Sequence, residues 1–85
     1  MKEINYVITD AMGLHARPAG QLVKAAMGFK SDIQLGTPAK MANAKRIMGV
    51  MGLALKQGEN LIITVNGDDE EAACKALNEF LKANL

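Results

Sequence analysis

Residues 13–19 read Gly13-Leu14-His15-Ala16-Arg17-Pro18-Ala19, and the chain changes its periodicity on either side of them. Before them, Ile4, Tyr6 and Ile8 alternate with Glu3, Asn5 and Thr9. That period of two predicts a strand with one face buried, and only Val7 interrupts its polar face. After them, Ala19, Leu22, Val23, Ala26 and Phe29 recur at helical spacing. They predict one buried stripe, opposite a face made of Arg17, Gly20, Gln21 and Lys24. The helix is expected to start around Arg17. Pro18 then falls in the first turn, where a missing N–H costs nothing, and Gly28 is expected to stop the helix.

Further along, Ile33 and Leu35 alternate with Asp32 and Gln34, predicting a second strand over 32–35. Gly36-Thr37-Pro38-Ala39 reads as a turn, and a short third strand over 40–42 closes a hairpin. A short second helix is expected over about 46–51, although Gly49 and Gly52 weaken it by about 1 kcal/mol each relative to alanine. Lys56-Gln57-Gly58-Glu59 is a turn. Leu61, Ile63 and Val65 then give the strongest strand, over 60–66. Asp68 and Glu71 resemble a capping box ahead of a last helix that buries Ala73, Ala76, Leu77, Phe80 and Leu81. Glu71, Lys75 and Glu79 stand at i, i+4 spacing on its outer face. The order is β-α-β-β-α-β-α. One-sided strands and helices in that order predict an α+β fold, an antiparallel sheet with its helices on one face. Strand order is not legible from the pattern.

Composition narrows the function classes. The chain has 85 residues, 49% of them apolar, and a net charge of +1. One domain spanning residues 1–85 is expected, with a small core and a thin stability margin. The charge balance gives no ground for a nucleic-acid partner, and Tyr6, Phe29 and Phe80 make no stacking platform. Cys74 is the only cysteine, which leaves no internal disulfide and no cysteine-ligated metal site; no metal or cofactor is expected. No signal peptide is expected, because a strand pattern follows Met1 directly. The longest run of apolar residues and glycine, Ile47 to Leu55, is far shorter than the ~20 residues that span a bilayer. A cytoplasmic protein without membrane insertion is expected.

The chemistry concentrates at His15, the only histidine. A helix N-terminus offers unpaired N–H groups and about half a positive charge, which together make an anion site. Arg17 adds a cation that can grip two phosphate oxygens at once. The same positive field favours the neutral, nucleophilic imidazole. Phosphoryl transfer needs mainly positioning and charge neutralisation, so a lone histidine in this setting suits a group carrier. Nothing else in the chain forms a turnover site: it has no P-loop, no paired carboxylates and no nucleophile beside a second histidine. No enzymatic turnover by the chain alone is expected.

The stretch 13–19 resembles the active-site motif of the HPr family, the histidine-containing phosphocarriers of the bacterial phosphoenolpyruvate-dependent sugar phosphotransferase system. The resemblance covers the whole chain, including Asn43-Ala44-Lys45, Ile47-Met48-Gly49-Val50-Met51 and Gly67-Asp68-Asp69-Glu70-Glu71. It implies an open-faced β-sandwich, a four-stranded antiparallel sheet under three helices. It implies that His15 is phosphorylated on Nδ1 by enzyme I, which draws on phosphoenolpyruvate, and that the group passes to a histidine of EIIA proteins or domains. It also implies that Arg17 and the first-helix amides near Ala16 and Arg17 hold the phosphate, with Pro18 setting the helix start. Many Gram-positive relatives carry a regulatory serine where this chain has Arg46, and a further serine where it has Gly52. That regulatory route is expected to be missing here.

Ile47, Met48 and Met51 lie on adjacent turns of a helix too short to be buried on all sides. Methionine surfaces can repack against several partners, so these three are read as a docking patch for enzyme I and EIIA. Lys24, Lys45 and Arg46 are read as its polar rim, steering acidic partners, and Gly20 and Gln21 as further partner-binding residues. A family carrier normally works as a monomer, and a monomer is expected. Two alternatives stay open at this point: a paralogue in a regulatory nitrogen-type phosphotransfer chain, and an anion-binding adaptor whose histidine is never phosphorylated.

Overall fold

The computed structural model describes residues 1–85. In chain order its elements are β1 (Lys2–Val7), α1 (Ala16–Met27), β2 (Asp32–Thr37), β3 (Lys40–Asn43), α2 (Ile47–Met51), β4 (Asn60–Asn66) and α3 (Glu70–Asn84). The strands form one antiparallel sheet in the order β1-β4-β2-β3. The strand of strongest alternation is therefore central. Leu61, Ile63 and Val65 of β4 are fully buried, and so are Ile33 and Leu35 of β2, which pair with Ile63 and Val65 in register. All three helices cover this face and leave the other face open, with Glu3, Asn5 and Val7 exposed on it.

Leu22 and Ala26 of α1, Val50 of α2 and Ala73, Leu77 and Leu81 of α3 complete the core with no exposed surface. A fully buried leucine of this kind contributes about 1.5–3 kcal/mol.

Several local expectations are corrected. The helix α1 starts at Ala16, one residue early, with His15 as its N-cap. Gly28 ends it in a right-handed conformation, φ −73°, so its glycine freedom is not used. Both hairpin strands run longer than their alternation suggests. Only Pro38-Ala39 turns, between the pair Thr37 and Lys40, and Gly36 stays inside β2. A Cβ on Gly36 would overlap the Lys40 carbonyl oxygen, and its φ of +154° excludes one as well.

At α3 the N-cap is Asp69, not Asp68. Its carboxylate turns away from its own helix and accepts from the N–H groups of Lys30 and Ser31, at 2.8 and 2.9 Å, and from the Ser31 hydroxyl. The Gly67 N–H donates instead to Glu70 Oε1 at 3.2 Å. The i, i+4 charges of α3 do not close on each other. Glu71 faces Lys2 across 3.9 Å, and Glu70 meets the Met1 ammonium at 2.9 Å. Ala76 and Phe80 are half-buried rather than buried.

Candidate phosphate-accepting site

The segment between β1 and α1 is held at both ends by backbone contacts. Gly13 has φ +66°, and a Cβ there would overlap the Leu55 carbonyl oxygen, so only glycine fits. Leu14 is buried, and its N–H donates to that same carbonyl at 2.9 Å. Upstream, the main-chain oxygen of Leu85 accepts from the N–H groups of Thr9 and Asp10 at 2.6 and 2.9 Å, and from the Thr9 hydroxyl at 2.7 Å. The C-terminal end of α3 is thus tied to the base of the loop.

His15 is extended, with φ −100°, and its side chain makes no cap hydrogen bond to the helix. Its own N–H donates to Gly13 O at 3.1 Å, and its carbonyl receives the Ala19 N–H at 2.9 Å. Pro18, the third helical residue, has no N–H to offer. That leaves the N–H groups of Ala16 and Arg17 without a protein acceptor at the positive end of α1. No carboxylate pairs with Arg17, since the chain's ion pairs are those at Met1 and Lys2.

Half-buried His15 lines a depression of about 140 Å³ together with Asp10, Arg17, Pro18, Gln21 and Asn84. His15 and Arg17 therefore share one shallow, open place, with Asp10 also on its wall, at the helix end whose Ala16 and Arg17 N–H groups are free; the cation and the free N–H groups suit an anion carried on a ring nitrogen. Asp10 and Asn84 are the members that sequence reasoning misses.

The residues read as a partner surface separate into groups. Gly20, Gln21 and Lys24 are exposed on α1, and an added side-chain carbon at Gly20 would touch nothing. Ile47, Met48 and Met51 are 40%, 81% and 38% exposed. Lys45, Arg46, Ile47 and Met48, with Ala42, Asn43 and Gly49, line a second and larger depression of about 560 Å³. Arg46 is exposed as the N-cap of α2. Lys45 is less free than a steering charge would be: its ammonium donates to the Phe29 carbonyl at 2.7 Å, tying the end of α1 to the start of α2. The two depressions have no lining residue in common.

This combination of an open-faced α+β sandwich and a histidine at a helix N-terminus defines a small phosphocarrier-like domain, and comparison with known proteins agrees. The family model described as PTS HPr component phosphorylation site matches residues 2–83. Phosphocarrier protein HPr of Lysinibacillus sphaericus is 49% identical over 81 residues, 95% of this chain and 92% of that protein. The corresponding protein of Xylella fastidiosa (strain 9a5c) is 40% identical over 82 residues, 96% of this chain and 92% of that one. The crystal structure of HPr-C-His from Thermoanaerobacter tengcongensis superposes with a TM-score of 0.91 at 43% identity, covering 98% of this chain and 93% of that one. The chain belongs to the HPr family of phosphocarriers of the phosphotransferase system. No helix in it is long and apolar enough to cross a membrane.

Proposed function

We propose that this protein carries a phosphoryl group on His15, taken from enzyme I and delivered to EIIA proteins or domains in phosphoenolpyruvate-dependent sugar uptake, as a single cytoplasmic domain working as a monomer. The observation that carries the reading is that His15 and Arg17 line one depression at the start of α1, the helix end whose Ala16 and Arg17 N–H groups have no protein acceptor. In each transfer the lone pair of an unprotonated imidazole nitrogen forms the new bond to phosphorus. The donor's bond to phosphorus breaks, the donor leaves with that electron pair, and nothing is oxidised. Arg17 and the amides neutralise the equatorial oxygens as their charge shifts, the main contribution a protein makes to such a loose transition state. Pro18 fixes the helix start without competing for the anion.

The exposed Ile47, Met48 and Met51, with Arg46, Lys45, Lys24, Gln21 and Gly20 around them, would dock both partners in turn. Serine-directed regulation has no acceptor in this reading. Arg46 and Gly52 stand where the family resemblance places the serines of many Gram-positive relatives. Ser31, the only serine, is 1% exposed and gives its hydroxyl to Asp69.

The relay itself is the test. The purified phosphorylated protein, freed of phosphoenolpyruvate and mixed with an unphosphorylated EIIA domain, should lose its added phosphoryl mass as the EIIA gains it. Retention of the group by this chain would leave an anion-binding adaptor as the better reading.

A further inference from the structure

Asp10 brings a negative charge into the depression where the proposed carrier would hold a dianion. The residue is firmly placed. Its N–H donates to Leu85 O at 2.9 Å, its carbonyl accepts from the Gly13 N–H at 2.9 Å, and its Oδ1 accepts from the Met12 N–H at 2.8 Å. Its second carboxylate oxygen has no protein donor, and no lysine or arginine pairs with it. This is an uncompensated carboxylate on the same small surface as His15 and Arg17.

A carrier faces a constraint that a binding site does not. Arg17 and the two free N–H groups stabilise a bound phosphoryl group. If nothing opposed them, the group would be slow to leave. A like charge nearby acts in the opposite sense, raising the free energy of the phosphorylated state. We infer that Asp10 poises the transfer potential of the His15 phosphoryl group, keeping it high enough to be given away. The inference rests on the carrier reading above and adds to it a residue with no hydrogen bond to His15; Asp10 acts through its charge.

The test is the equilibrium between the protein with phosphoenolpyruvate and its phosphorylated form with pyruvate, set up with catalytic enzyme I and read by intact mass. Asp10→Asn keeps an oxygen for the Met12 N–H and removes the charge. The equilibrium constant should rise at least about threefold at low ionic strength, the size expected of one partly exposed charge pair. The gain should shrink at about 0.5 M salt, where screening acts over a few Å. Asp10→Ser should reproduce the gain, and Asp10→Glu should stay near the unsubstituted protein. Equal constants for Asp10→Asn and the unsubstituted protein at low salt would overturn the inference while leaving the carrier role intact. A gain in Asp10→Glu as large as in Asp10→Asn would overturn it too, by assigning the effect to shape. Failure of the unsubstituted protein to take up any phosphoryl group would overturn the carrier reading and this inference with it.

Discussion

Ala54 is the one residue other than glycine with a positive φ, 51°. In that region a Cβ crowds the next carbonyl, at a cost of roughly 1–2 kcal/mol. The chain accepts it where α2 gives way to the buried Leu55, whose carbonyl must face Gly13 and Leu14. Ala54→Gly should therefore raise stability by roughly 0.5–1 kcal/mol, the relief being partly offset by the freer unfolded chain. The urea midpoint should rise with an unchanged slope; a lower midpoint would show that the left-handed turn is not strained. Residues differ in how far they can be read in advance. His15 and Arg17 are legible because one histidine, one cation and a helix-starting proline sit within four consecutive positions. Asp10 and Asn84 are not, because they come from opposite ends of the chain and meet only after α3 has docked and Leu85 has bonded the loop.

Elements are most legible where one side of them is buried, and least so at their ends. The strand β4 and the stripes of α1 and α3 follow directly from apolar spacing. The cap of α3 does not, because the deciding contact joins Asp69 to Lys30 and Ser31, far away in sequence. The Ser31 hydroxyl first, then the Lys30 and Ser31 amides, hold the Asp69 carboxyl below its ordinary value of 3.8. A carboxyl lowered on folding adds stability that is complete above its unfolded value and disappears as pH falls through the folded one. Asp69→Ala should thus cost its full amount in urea unfolding at neutral pH and progressively less below about pH 4. A difference that stays constant down to pH 2 would contradict this ionic clamp. On α2, Met48 is 81% exposed and contributes little to the core. Met48→Asp should change stability by less than about 0.5 kcal/mol and weaken enzyme I binding about tenfold, as expected when a contact residue is lost. Unchanged affinity, measured by calorimetry, would remove α2 from the docking surface.

The whole molecule separates support from chemistry. A four-stranded sheet and three helices bury one continuous face, and the reactive loop rests on it through backbone bonds to Leu55 and Leu85. Sequence alternation indicates which residues line that face, but it cannot order the strands, because every antiparallel arrangement would bury the same side chains. Membership of the HPr family supplies the class of chemistry. The geometry supports His15 as its seat by leaving the Ala16 and Arg17 amides and the Arg17 guanidinium unpaired beside it. The most direct measurement is intact mass after incubation with phosphoenolpyruvate, Mg²⁺ and catalytic enzyme I. The account predicts a single added phosphoryl group, labile to acid, absent from His15→Ala and slower to arrive on Arg17→Ala. No mass gain with active enzyme I, or an undiminished gain on His15→Ala, would contradict it.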